Sequence, residues 1–205
     1  MMIKTDKYHI RFFQVGDKTK GGDAIVIELF DENDTPHIMI IDGGYKETGD
    51  SIVKYLKGKY SKDGKPVHID FVFNTHPDLD HISGLKSILS SDDLTVGFLA
   101  FNRPWRDGGL KRTDFDDKRI TKDSLINRIK EEFAMADDLE SIAEEKKIRM
   151  TEVKQGRSAY NGIIKILGPS DTFYKQHLLM SDKTPDNFLN KYNHPYAPTT
   201  TEEED

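Results

Sequence analysis

The sequence contains no cysteine, a single tryptophan and no apolar run long enough to cross a membrane. Without cysteine there is neither a disulfide framework nor a thiolate metal site, so any bound metal must take nitrogen and oxygen ligands. A membrane-spanning helix needs about 20 apolar residues, and the first residues lack the apolar stretch of a signal peptide. We therefore expect a soluble, cytoplasmic protein with no membrane partner.

The composition is that of a globular protein with an acidic surface. Of the 205 residues, 36% are hydrophobic and 32% charged, the net charge is −6, and 11 phenylalanines and 8 tyrosines are available to fill an interior. This apolar content excludes a chain that is disordered throughout. The acidic balance argues against a nonspecific coat on nucleic acid, although a local basic patch is compatible with it.

The first hundred residues alternate between strands and helices. Runs of β-branched and aromatic residues predict five strands, and apolar residues at helical spacing predict two helices. The strands are expected at residues 8–15, 23–30, 37–42, 67–74 and 94–101, and the helices at residues 49–59 and 82–89. The pattern indicates a mixed α/β fold.

The remainder of the chain is more highly charged. Half of residues 103–154 are charged, and apolar residues from Ile126 to Ala143 predict one long amphipathic helix. A further strand is expected at Ile163–Leu167, ahead of Gly168 and Pro169. We expect one domain over residues 1–170 with a charged insertion at about 103–154, and a polar C-terminal segment with an acidic tail over 171–205.

Four potential metal ligands lie within six residues: His76, Asp78, Asp80 and His81. They follow directly on a predicted strand, where alternate side chains point the same way, and His81 begins the next helix. Imidazole and carboxylate ligands suit Zn²⁺, Mn²⁺ or Fe²⁺, as one ion or two. The alternative is a solvated loop in which Asp80 caps the helix.

The segment Thr75-His76-Pro77-Asp78-Leu79-Asp80-His81-Ile82-Ser83-Gly84-Leu85 resembles the histidine and aspartate signature of the metallo-β-lactamase fold. The preceding Gly22-Asp23-Ala24-Ile25 and Ile41-Asp42-Gly43-Gly44 stand in the order of that family. Most members of the family have a second histidine at the place where this chain has Pro77-Asp78. In this respect the loop is similar to that of the hydrolase domain of the DNA-uptake competence protein ComEC. The resemblance implies an αββα sandwich, of which this chain lacks much of the second half.

The resemblance also implies a set of roles. His76 and Asp78 would bind a first zinc or manganese ion, and Asp80 and His81 a second. A metal-bound hydroxide would be the nucleophile, and Asp80 would orient that water. Asp42 would hydrogen-bond a ligand histidine, or it would simply form the turn before two glycines. Relatives of this form act mostly on phosphodiesters, so a nuclease-like hydrolase is expected.

Two features leave alternatives open. After residue 101 the only histidines are His177 and His194, and no later strand ends in Gly-Asp, although the family completes its site with such residues. The chain is therefore either an enzyme, or a non-catalytic or split subunit that binds or regulates a partner, including a protein partner that completes the site.

A possible substrate surface is the basic segment containing Arg103, Trp105 and Arg106. In an enzyme acting on nucleic acid or on a small phosphodiester, the arginines would grip phosphates and the indole would stack on a base. The alternative, which we favour slightly, is a charge-balanced insertion that Trp105 anchors to the core.

Overall fold

The structure, a computed structural model, describes residues 2–17, 21–106, 109–115, 119, 121–181 and 183–184. The chain divides into two compact units. The first comprises Met1–Asn102 and Ala134–Gly168, and the second comprises Arg103–Phe133 and Pro169–Asp205.

A six-stranded sheet with the strand order β1-β2-β3-β4-β5-β6 is the centre of the first unit. Its strands are β1 (Ile3–Phe12), β2 (Ala24–Asp31), β3 (Pro36–Gly43), β4 (Val67–Phe73), β5 (Leu94–Ala100) and β6 (Arg149–Thr151). Strands β1 to β3 pair antiparallel, and β3 to β6 pair parallel. The parallel strands β3 and β4 therefore end at the same edge of the sheet, which is where the predicted ligands follow β4.

Two helices of the first unit pack along one face of this sheet, and a third packs against one of them. They are α1 (Lys46–Tyr60), α2 (Leu79–Ser90) and α4 (Ala134–Glu145), with α1 against α2 and α2 against α4. The register aligns Val26, Ile40, Val72 and Leu99 in one row beneath them. All four side chains are fully buried, so this row is the middle of the helix-covered core.

The opposite face of the sheet is also apolar. A row of paired residues runs from Ile10 through Ile27, Met39 and Phe71 to Phe98. A short hairpin of β7 (Ser158–Ala159) and β8 (Ile164–Lys165), joined by a 3₁₀ turn at Tyr160–Gly162, packs on part of this face. The predicted strand at 163–167 is therefore only two residues long and pairs within this hairpin.

The second unit contains a 3₁₀ turn at Arg112–Asp114 and the helices α3 (Lys122–Glu132) and α5 (Asp171–Met180). The side chains of Thr121 and Ser170 cap the first turns of α3 and α5. None of the helices in the described ranges is long and apolar enough to cross a membrane.

The prediction of one long helix from Ile126 to Ala143 is wrong. Phe133 has φ −109° and ψ 39°, so α3 ends at Glu132 and α4 begins at Ala134. One non-helical residue leaves the three- and four-residue spacing of the apolar side chains intact, and the spacing could not reveal it.

Two boundaries also differ from the prediction. Strand β1 covers Ile3–Phe12 rather than residues 8–15, and α1 begins at Lys46 rather than at residue 49. The predicted division into residues 1–170 and 171–205 stays a prediction.

Candidate metal centre

Three side chains with metal-binding atoms meet at the carboxyl ends of β3 and β4. Asp42 lies near the end of β3, His76 follows β4, and His81 lies in the first turn of α2. One ligand atom of each lies within 4.8 Å of those of the other two, and the centroids of the imidazole rings are 3.8 Å apart. Within the described residues, this is the one such group of three.

Asp42 is the most deeply buried member of this group of three, and it accepts four hydrogen bonds. Its Oδ1 accepts from the Asn74 amide at 3.0 Å and from the Thr75 backbone N–H at 2.8 Å. Its Oδ2 accepts from the Thr75 hydroxyl and from Nδ1 of His81, the latter at 2.9 Å. Its φ of +55° is a left-handed conformation that costs a non-glycine residue of the order of 1 kcal/mol. We infer that this network holds Asp42 in place despite the strain.

Asp42 fixes the tautomer of His81. A carboxylate only accepts hydrogen bonds, so the proton of the neutral imidazole lies on Nδ1 and the lone pair lies on Nε2. That Nε2 atom is 3.7 Å from Oδ2 of Asp80. The His81 side chain is 10% exposed and Asp42 1%, so this pair forms the buried side of the cluster.

Thr75 sets the tautomer of His76 in the same way. Because the Thr75 hydroxyl donates its proton to Asp42, its oxygen can only accept from Nδ1 of His76, which lies 2.9 Å away. The lone pair of His76 is therefore on Nε2, 3.7 Å from Oδ2 of Asp78. The side chains of His76 and Asp78 are 44% and 53% exposed, so this pair forms the open side.

The two Nε2–carboxylate pairs fit a divalent metal ion. Ligands about 2.1 Å from a tetrahedral ion stand about 3.4 Å apart, close to the 3.7 Å in each pair. Asp42 also lies within reach of an ion, but protein donors already occupy both of its oxygens. The donor arrangement therefore favours Asp42 as the group that orients His81.

Glycines allow α2 to approach the end of β3 closely. A Cβ atom on Gly84 would lie 1.9 Å from the carbonyl oxygen of Gly43, and one on Gly49 would lie 2.3 Å from the carbonyl oxygen of Gly84. The backbone N–H of Gly84 donates to the carbonyl of Gly44 at 2.8 Å. These contacts hold the first turn of α2, and with it His81, against Asp42.

The structure places the predicted ligands on one loop and the helix after it. Asp78 is the N-cap residue of α2 but makes no capping hydrogen bond, and Asp80 lies in the first turn of the helix. Asp80 therefore does not cap the helix, contrary to that part of the alternative. Which ion each residue binds stays a prediction.

Sequence reasoning missed the residues that hold Asp42 and His76 in position. Asn74 donates both to Asp42 and, at 2.8 Å, to the carbonyl of His76, while Thr75 bridges the same two residues. Asp23, before β2, also reaches the cluster, with its Oδ2 4.0 Å from Nδ1 of His81. The position of Asn74 and Thr75, directly after a buried strand, was the available signal.

The predicted substrate residues Arg103, Trp105 and Arg106 belong to the second unit. Trp105 is 7% exposed, and the Lys130 ammonium lies 5.1 Å from its ring centroid. Their role at a substrate surface stays a prediction.

Of the two late histidines, His177 lies within the described residues. His177 lies on α5 in the second unit, where its ring contacts that of Phe173 at a centroid distance of 4.1 Å. His194 lies outside the described residues.

Comparison with known proteins identifies the family. The sequence model of the metallo-beta-lactamase superfamily matches residues 19–130, more than half of the chain. A search of curated proteins finds no significant match. Among solved structures, the chain is similar to a Thermotoga maritima protein whose structure is titled a "putative metallo-beta-lactamase", with 14% identity and a TM-score of 0.43. The match covers 78% of this chain and 65%, a little under two thirds, of that one. The mixed α/β fold is consistent with the family, so the predicted fold class is confirmed.

Proposed function

Because the chain belongs to the metallo-beta-lactamase superfamily, we propose that it is a metal-dependent hydrolase that cleaves phosphodiester bonds at the cluster of His76, Asp78, Asp80 and His81. The observation that carries the proposal is the pair of imidazoles with Nδ1 engaged, each presenting Nε2 at 3.7 Å from a carboxylate. This arrangement leaves two nitrogen lone pairs and two carboxylates available to bind divalent ions.

Zinc and manganese both suit this set of nitrogen and oxygen donors. A bound divalent ion would lower the pKa of water towards neutrality and polarise a phosphoryl oxygen. Around it, Asp42 and Thr75 keep both histidines in the tautomer that binds metal. Asp80, 31% exposed beside His81, would accept a hydrogen bond from the attacking water and align it.

Phosphodiesters are favoured as substrates by the form of the metal loop. Pro77-Asp78 stands where most relatives have a histidine, as in the ComEC hydrolase domain, and this similarity supports the phosphodiester assignment. A nucleic acid and a small phosphodiester are both substrates of this class.

The test of this proposal is hydrolysis of bis(4-nitrophenyl) phosphate by the purified chain loaded with Mn²⁺ or Zn²⁺. We expect turnover that EDTA abolishes and that Asp80→Ala lowers by about 100-fold or more, the range for loss of a group that positions a proton. Asp50→Ala is the matched control, because Asp50 is an exposed carboxylate on α1 that pairs with Lys46. Equal rates for Asp80→Ala and wild type would contradict the proposed role.

The alternative is a non-catalytic or split subunit. It predicts no turnover with either metal by the chain alone, and activity only after addition of a protein that supplies further ligands. Assaying the chain with and without the product of the neighbouring gene distinguishes the two functions.

A further inference from the structure

A cavity of about 230 Å³ lies in the first unit, between the β7–β8 hairpin and the face of the sheet opposite the helices. Its floor is the three phenyl rings of Phe71, Phe73 and Phe98. The ring of Phe71 stacks on that of Phe98 at 5.5 Å and on that of Phe73 at 5.9 Å, with interplanar angles of 15° and 24°. The three rings therefore stand nearly parallel in a stacked row, which forms the aromatic platform of the cavity.

The hairpin that covers this platform is closed at its base by backbone hydrogen bonds and held at its tip by ring contacts. The backbone N–H of Ile166 donates to the carbonyl of Arg157 at 2.8 Å, and the N–H of Gly156 donates to the carbonyl of Ile166 at 2.9 Å. At its tip, the Tyr160 ring packs edge-on against Phe71 and against His37 at centroid distances of 5.7 and 5.6 Å. These contacts indicate a cavity that exists before a ligand binds.

The cavity adjoins the metal centre through Asn74. The backbone N–H of Asn74 donates to the carbonyl of Ala100, which lines the cavity, and its side chain donates to Asp42. Phe73 precedes His76 by only three residues, which span at most about 11 Å of extended chain. The aromatic platform and the first metal ligand therefore lie on one short segment of the chain.

Size and charge limit what the cavity can hold. An apolar cavity of about 150 Å³ accommodates benzene, so this larger one has room for one or two rings. Its polar lining consists of Thr151, Glu152, Arg157 and Ser158. Arg157 is exposed and contacts the Thr151 hydroxyl, whereas Glu152 is buried. One anionic group at Arg157 fits this lining, but the buried carboxylate disfavours a polyanionic strand.

From these observations we propose that the cavity binds the apolar part of a small substrate, a flat group of one or two rings, with a single anionic group at Arg157. This inference rests on the proposed hydrolase function and narrows its substrates to small phosphodiesters with an aromatic or similarly flat group.

The first test is binding to the metal-free chain in EDTA, which does not depend on catalysis. The probes are the anionic 8-anilinonaphthalene-1-sulfonate and the neutral N-phenyl-1-naphthylamine, followed by fluorescence titration. We expect saturable binding of both probes, weakened about tenfold or more by Ala159→Phe, which fills the cavity from the hairpin side.

Two further variants test where the probes bind: the first is a control away from the cavity, and the second removes the charge of Arg157. Phe12 is 73% exposed on β1 and does not line the cavity, so Phe12→Ser should leave both affinities within about twofold. Arg157→Gln, at an exposed position, should weaken only the anionic probe, by about fivefold. Absence of saturable binding, or binding lost in Phe12→Ser and kept in Ala159→Phe, would overturn the proposal.

The second test asks whether the cavity binds substrate during hydrolysis. With metal-loaded chain, Ala159→Phe should raise KM for bis(4-nitrophenyl) phosphate about fivefold or more, since the platform holds one aryl group. An unchanged KM would overturn the substrate assignment. If the probes bind in the cavity but the wild type hydrolyses nothing with either metal, the hydrolase function has failed while the cavity has been shown to bind its ligand class.

Discussion

Replacing Asp42 with asparagine changes the charge beneath the metal centre with almost no change in shape. The aspartate accepts hydrogen bonds from Asn74, from His81 and twice from Thr75. In the variant an NH₂ group replaces one carboxylate oxygen and faces donors instead of accepting from them. To avoid this conflict, His81 must move its proton to Nε2, the atom that would otherwise bind the metal.

The expected loss of metal affinity follows from that change of tautomer. Removing a carboxylate that orients a ligand histidine costs about 10- to 100-fold in affinity, or about 1.4–2.7 kcal/mol. Isothermal titration of the metal-free chain with Zn²⁺ and with Mn²⁺ measures it directly. The loss of charge-assisted hydrogen bonds should also lower the free energy of unfolding by about 2 kcal/mol.

Asp70→Asn is the matched control for the Asp42 variant. Asp70 is another largely buried carboxylate at a strand, where it accepts from the Ile38 backbone N–H at 2.9 Å and faces Nδ1 of His37 at 3.2 Å. Its replacement should lower stability but leave the metal dissociation constant within about twofold. If Asp42→Asn and Asp70→Asn bind metal equally well, Asp42 does not act through His81.

The remaining predictions concern the packing and the ion pairs of the first unit. Gly84→Ala should destabilise the chain by about 3 kcal/mol in a urea titration, because its Cβ would overlap the Gly43 carbonyl. Gly58→Ala, within α1 and with nothing within 4 Å of its Cβ, should instead stabilise by about 0.5–1 kcal/mol, so destabilisation by both would contradict the close-packing argument. Glu28, 1% exposed, accepts from Lys59 at 2.7 Å and from Tyr55 at 2.9 Å, so Glu28→Gln should cost about 2 kcal/mol. Burial alone would raise the pKa of Glu28, but the hydrogen bonds from Lys59 and Tyr55 outweigh it and hold that pKa below its ordinary value of 4.5. Its contribution is therefore present above pH 4.5 and is lost as the pH falls through the lower folded-state pKa, so stability measured against pH should show a smaller acid loss in Glu28→Gln than in wild type.

The metal ligands could be predicted from the sequence because they lie close together in one short segment. His76, Asp78, Asp80 and His81 could be located because a metal loop needs its ligands close together after a buried strand. The position of Asp42 before two glycines left its role open. Its partners are a hydroxyl and an amide from the loop after β4 and an imidazole from α2, and their proximity depends on the packing of these segments rather than on spacing along the chain.

Tertiary contacts explain the features that pattern could not supply. Charged residues at positions 4, 6 and 7 hid the start of β1, which tolerates them because most of this edge strand is exposed to solvent. The break at Phe133 preserves the apolar spacing on either side. The hairpin at residues 158–165 is held largely by the aromatic face beneath it, and strands of two residues carry almost no periodic signal.

The proposed function requires His76 and His81 to bind a metal ion with Asp78 and Asp80. Its most direct test is the metal content of the dialysed chain after incubation with Zn²⁺ or Mn²⁺, measured by elemental analysis beside the double variant His76→Ala/His81→Ala. We expect one or two equivalents in the wild type and none above background in the variant, with both proteins folded by circular dichroism. Background metal in the wild type, or equal metal in both proteins, would contradict it.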